Sequence, residues 1–229
     1  MSTNQAAIVA RMGASGSGKS LDVKTWLRAM DAPRRLIWDT MNEYAEHAEQ
    51  VPTLAAMVER MRAGKAWRLR YVPSGDPKKL AERFDVFCAA AFAAGDVVVV
   101  VEELQTVTSP SWAPAAWSDC TLRGRHRGLV IIGVSQRPAS VDKNFFSNAT
   151  LIRSGRLNFA ADVSCMANVL HVEPEQISAL VPLAYIERDM TTGKPGDGVV
   201  PLPGAVRVAP AKAKKQVARK KKNRRSRAG

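Results

Sequence analysis

The stretch Ala6-Ala7-Ile8-Val9-Ala10-Arg11-Met12 runs directly into Gly13-Ala14-Ser15-Gly16-Ser17-Gly18-Lys19-Ser20, and helical spacing (Leu21, Trp26, Leu27, Met30) continues over Lys19–Met30. A short apolar run, a glycine-rich loop and a helix, in that order, form the setting in which Gly-x-x-x-x-Gly-Lys-Ser cradles phosphate. Gly13, Gly16 and Gly18 let the backbone curl so that its N–H groups, those of Ala14, Ser15 and Ser17 among them, point inward. Lys19 reaches the β- and γ-phosphates, and Ser20 offers a hydroxyl to Mg²⁺. The opening of the helix adds its positive dipole end. The eight residues from Gly13 to Ser20 are therefore expected to bind ATP, with Mg²⁺ as its companion ion.

Outward from this loop, apolar runs alternate with helical patterns. Strands are expected at Ala6–Met12, Arg35–Asp39, Leu69–Val72, Val97–Val101, Leu129–Ser135 and Thr150–Arg153, and helices at Lys19–Met30, Thr53–Arg62, Pro77–Ala94, Ala113–Leu122, Ala161–Leu170 and Glu173–Val181. Five consecutive valines, Val97–Val101, suit a central parallel strand covered on both faces. Tyr185–Met190 and Gly198–Leu202 flank Thr192-Gly193-Lys194-Pro195-Gly196 and predict a β-hairpin. The fold class is thus α/β, a doubly wound phosphate-binding-loop domain over residues 1–204 with a mainly parallel sheet and helices on both faces. Residues 205–229 lack a core-forming pattern and read as a disordered basic tail.

Charge supports that division. The chain carries +13, yet ten Lys or Arg and no acid fall between Lys212 and Arg227. Taking those ten from the 34 basic residues leaves 24 against 21 acids, so the body is near neutral. A concentrated basic segment favours a polyanionic partner, nucleic acid before membrane. Cys88, Cys120 and Cys165 are odd in number and far apart, which argues against a disulfide frame and for a reducing compartment. The most apolar window, Val86 to Val101, is broken by Gly95 and Asp96, well short of the roughly 20 residues of a membrane helix. No stable membrane insertion is expected.

A phosphate-binding loop alone does not separate a kinase from a GTPase or a motor. The valine run ends in Glu102-Glu103. A buried strand that ends in two carboxylates can deliver Glu102 to the Mg²⁺ shell and leave Glu103 as general base for an attacking water. Two surface acids at a strand end are the plainer reading. Gln136 follows the apolar run Leu129–Ser135 and stands where ligands lie in such sheets, beyond the carboxyl ends of the strands. It can contact a γ-phosphate or orient water; alone it could equally cap a loop.

Gly13–Ser20, Leu36–Asp39 with Glu43-Tyr44, the valines with Glu102-Glu103, and Gly124–Arg127 leading to Ser135-Gln136-Arg137-Pro138 together resemble the FtsK–HerA superfamily of DNA-pumping ATPases. The resemblance spans roughly residues 6–160. The small size looks most like the genome-packaging ATPases of tailless, membrane-containing (tectivirus-like) bacteriophages. It implies a RecA-like fold, a ring of subunits (typically six), double-stranded DNA moved through its centre, and capsid or portal-vertex proteins as further partners. It also implies a place in the cytoplasm of a bacterial host or at the packaging vertex of the virion. Glu102 stands where the family commonly has Asp, and no β-barrel segment precedes the loop as it does in the cellular pumps.

In a ring, an arginine of Arg123-Gly124-Arg125-His126-Arg127 could enter a neighbour's site and neutralise transition-state charge, with Arg125 and Arg127 preferred and Arg153 and Arg156 as rivals. The same residues could touch DNA phosphates or form a solvated loop. Asp39 could serve the site or cap the segment that follows it. His47, His126 and His171 lack ligand spacing. Trp112 and Trp117 could form a subunit contact, although core packing is the better expectation. Other readings are an assembly or export ATPase of filamentous phages (Zot-like), a small nucleotide kinase, and a nucleic-acid-binding protein that does not hydrolyse ATP.

Overall fold

A computed structural model describes residues 7–202; the basic tail and the 204/205 boundary lie outside the described residues. Nine strands form one sheet: β1 (Ala7–Met12), β2 (Arg34–Trp38), β3 (Glu49–Val51), β4 (Trp67–Tyr71), β5 (Val98–Val101), β6 (Val130–Ser135), β7 (Leu151–Gly155), β8 (Ala184–Asp189) and β9 (Pro195–Val199). Their order is β3-β4-β2-β5-β6-β1-β7-β8-β9. All pairings from β3 to β7 are parallel, and β8 and β9 join antiparallel.

The valine run behaves as its composition predicts. β5 lies between β2 and β6, and alternate side chains enter two separate cores. Val98 and Val100 meet the face covered by α1 (Lys19–Met30), through Val23 and Leu27. Val97, Val99 and Val101 meet the opposite face, where α3 (Pro77–Ala94) and α4 (Ala115–Arg123) pack through Phe84, Phe87 and Trp117. With both faces covered, a period of two in burial disappears and every position is apolar. α2 (Leu54–Ala63), α5 (Lys143–Asn148), α6 (Ala160–Leu170) and α7 (Pro174–Ser178) complete the helices. No helix among the described residues is long and apolar enough to cross a membrane.

Three local expectations need correction. The second arm of the hairpin is Pro195–Val199, not Gly198–Leu202. Asp189 accepts hydrogen bonds from the backbone N–H groups of Thr191 and Thr192, and its own N–H donates to the Lys194 carbonyl, so the turn closes early. β3 and α5 were not expected: Glu49-Gln50-Val51 is a polar edge without alternation, and six residues are too few to show helical periodicity. Trp117 is core, but Trp112 is 53% exposed.

The direction of the chain changes between β1 and β6. From β1 it crosses over α1 to β2 on one side; from β6 it passes through α5 to β7 on the other. The carboxyl ends of two such strands diverge and leave a crevice, the usual ligand site of an open α/β sheet.

Candidate active site

The glycine loop fills that crevice. Its ends are pinned by backbone bonds from Gly13 N–H to the Ser135 carbonyl (3.2 Å) and from Ala14 N–H to the Arg156 carbonyl (2.8 Å). Gly18 adopts φ 90° and opens α1 without a side-chain cap, so the first N–H groups of the helix are left for a ligand. A Cβ there would lie 2.8 Å from Leu183, on the segment leading into β8. Gly13 is equally constrained, with φ 147° and Ser17 Oγ 2.5 Å from where its Cβ would be.

Lys19 turns back over the loop, and its Nζ donates to the Ala14 carbonyl at 2.9 Å. Burial pushes its pKa down, while Glu103, Glu102 and Glu43 pull it up. These residues line a cavity of about 240 Å³ together with Ser15, Gly16, Ser20 and Gln136. Strand order explains the convergence: β6 lies between β1 and β5, so the ends of three adjacent strands present loop, glutamine and paired acids side by side.

Consecutive residues of a strand point to opposite faces, yet Glu102 and Glu103 reach the same cavity. The reason is the backbone. Glu103 has φ 51° and ψ 50°, a left-handed conformation that turns the strand into a 3₁₀ turn at Leu104–Thr106. Such a conformation costs a non-glycine residue about 1–3 kcal/mol and tends to occur at functional sites. Glu102 is buried, and its Oε1 accepts from the Tyr44 hydroxyl. Glu103 Oε1 accepts from Gln136 Nε2 at 2.6 Å, and its Oε2 accepts from Gln105 Nε2.

Burial, reinforced by Glu103 and Glu43, raises the Glu102 carboxyl to about 7, against the pull of Tyr44 and Lys19. In the unfolded chain it titrates near 4.5. The folded protein therefore holds more protons between these values, and its stability should fall as pH rises through that window, by up to about 3 kcal/mol. Urea unfolding in EDTA from pH 4.5 to 8 checks this: Glu102→Gln should flatten the slope and stabilise the protein at pH 8.

Ser20 and Glu102 both line the cavity, where a hydroxyl and a carboxylate could offer a cation hard oxygen donors. That set suits Mg²⁺, which binds through one or two side-chain oxygens with phosphate oxygens and water.

Other candidates lie elsewhere. Asp39 accepts from the N–H groups of Glu43 and Tyr44 (2.8 and 3.1 Å) and pairs with Arg70 at 2.9 Å, so it caps a turn. Arg125 and Arg127 precede β6 and lie a strand length from the loop, on the order of 20 Å; neither joins the cavity of its own chain. Arg127 donates to the carbonyls of Phe92 and Ala93, where α3 ends, and so serves as a helix C-cap. Arg127→Ala should cost about 1 kcal/mol in chemical denaturation and leave nucleotide affinity unchanged. Arg153 is fully engaged, pairing with Asp22 (2.7 Å) and Glu187 (2.7 Å) under Tyr185. Arg11 joins Asp22 at 2.6 Å, so a part-buried ion network ties α1 to β7 and the hairpin. Of the rival arginines only Arg156 is exposed beside the loop.

Gln105, this ion network and the bond from Tyr44 to Glu102 escaped sequence reasoning, although Glu43-Tyr44 was among the motifs of the resemblance. The glutamine two positions beyond Glu103 was the one available signal.

Loop, strand order and paired acids define the fold class: an α/β P-loop NTPase of the RecA-like type. No family model matches the chain. It is 27% identical over 173 residues to Protein P9 of Pseudoalteromonas phage PM2, covering 74% of this chain and 77% of that protein. Among solved structures, the genome packaging NTPase B204 of Sulfolobus turreted icosahedral virus 2, in complex with ATP-gammaS, superposes with a TM-score of 0.71 at 17% identity, over 85% of this chain and 98% of that one. VirB4 of Thermoanaerobacter pseudethanolicus gives 0.58 at 12% identity, over 88% and 91%. The likeness in fold thus spans 85–88% of the chain.

Proposed function

We propose that this protein is an ATP-driven translocase that loads double-stranded viral DNA into a capsid. The observation that carries this reading is the meeting of Lys19, Glu102, Glu103 and Gln136 in one cavity at three adjacent strand ends, within a fold shared with a viral genome packaging NTPase. The similarity to a phage protein supports it.

In this reading, the N–H groups of the loop and Lys19 hold the β- and γ-phosphates. Mg²⁺, held by Ser20 and Glu102, would neutralise phosphate charge. Glu103 accepts a proton from the attacking water, and Gln136, already bonded to Glu103, registers the presence of the γ-phosphate. A ring of copies, typically six, would place DNA at its centre. Arg125, whose side chain is hydrogen-bonded among the described residues to His126 alone, is freer than Arg127 to reach a neighbouring copy.

Phosphate release with and without double-stranded DNA tests the reading. Stimulation by DNA is expected; transfer of phosphate to a nucleotide acceptor, without a DNA response, would identify a kinase instead. Removing residues 211–229 takes away ten basic residues. If they contact about six to ten phosphates, the full chain should lose roughly 10³–10⁵ in affinity between 50 and 200 mM salt, and the truncated chain much less. An unchanged salt slope would reject a DNA grip by the tail; a contact with a capsid protein would then show as failed packaging with DNA binding intact.

A further inference from the structure

Glu103 is held from two sides, and only one of them faces the nucleotide cavity. Gln136 lines that cavity with Glu103; Gln105 does not. Gln105 stands behind the carboxylate, brought there by the 3₁₀ turn that follows the left-handed residue. Its Nε2 donates to Glu103 Oε2, and its Oε1 accepts from Ser135 Oγ at 2.5 Å. The Ser135 hydroxyl in turn accepts from the Arg137 N–H at 3.0 Å.

This chain leaves the Gln105 amide a single orientation. Flipping it would set its carbonyl oxygen against the Glu103 carboxylate and forfeit the bond that the Ser135 hydroxyl donates to it. We propose that Gln105 is a positioning residue for the Glu103 carboxylate, fixing its plane from behind through a relay that starts at the Arg137 backbone. Each carboxylate oxygen accepts one amide N–H and keeps further acceptor capacity for a water proton. The aligned bonds polarise one another in the same sense.

The inference deepens the proposed reaction and rests on Glu103 being its base. In that step a water oxygen bonds to the γ-phosphorus, a water proton passes to a Glu103 oxygen, and the bond from the γ-phosphorus to the β,γ-bridging oxygen breaks, leaving its electron pair on ADP. Gln136 is free to turn toward the γ-phosphate during this step, because Gln105 keeps the carboxylate oriented without it.

Two variants separate positioning from mere support of Ser135. Gln105→Ala removes both bonds. Gln105→Glu retains an acceptor for Ser135 but turns a repelling carboxylate toward Glu103. Steady-state ATP hydrolysis is measured for both, beside Glu103→Gln, with thermal midpoints as a check of folding. Gln105→Ala should lower kcat by roughly 10-fold and Gln105→Glu by roughly 10²-fold, each with KM for ATP within about twofold. Wild-type turnover in either variant, with Glu103→Gln inactive, would overturn the assignment. A Glu103→Gln protein that still turns over would instead remove the base reading on which the assignment depends.

Discussion

The Glu103→Gln protein is expected to bind ATP and Mg²⁺ as tightly as the native chain and to hydrolyse ATP about 10²–10⁴-fold more slowly. The amide is nearly isosteric with the carboxylate and fits the same left-handed position, so the loop and Lys19 are undisturbed. It cannot accept a proton from water, and loss of a positioned base has that cost. It also introduces an NH₂ where Gln136 and Gln105 now donate to two carboxylate oxygens, which leaves one of them facing another donor. Equilibrium binding of a fluorescent ATP analogue and single-turnover phosphate release measure the two halves separately. Glu102→Gln should differ, weakening the dependence on Mg²⁺ with less effect on the chemical step. The reverse pattern would exchange the two roles.

Lys19→Ala is expected to abolish hydrolysis and to weaken ATP binding. Among the described residues Lys19 is the one basic side chain lining the cavity, set among Glu43, Glu102 and Glu103. Without it three acids would face the phosphates of ATP with backbone N–H groups and Mg²⁺ alone in opposition. Loss of one such electrostatic contact in a water-poor site costs roughly 10²–10³-fold in turnover, before any loss of binding. The fold should survive, because Lys19 supports only the Ala14 carbonyl. Turnover near the native value would remove the loop from the catalytic centre.

The parts of this site written in contiguous residues were legible from sequence. The loop and the periodicity of the helix that follows it are local, Pro77–Ala94 carries its own cap at Asp76, and the valine run announced a strand covered on both faces. What could not be read were contacts across long separations. The bond from Tyr44 to Glu102 spans 58 positions, and the left-handed turn at Glu103 has no glycine to signal it. The hairpin register was set by Asp189 and its turn, which outweighed the apolar residues Val199–Leu202.

Arg125 and Arg127 carry a different lesson. Their position before a parallel strand already places them at its amino end, whereas ligands gather at the carboxyl ends. Composition had suggested chemistry, but topology separates both from the cavity of their own chain and engages Arg127 in capping α3.

Displacement of a triplex-forming oligonucleotide from linear double-stranded DNA tests translocation directly. The account predicts displacement that requires ATP and Mg²⁺, disappears in Lys19→Ala and Glu103→Gln, and takes longer as the triplex lies farther from the loading end. DNA-stimulated hydrolysis with no displacement at any distance would contradict it.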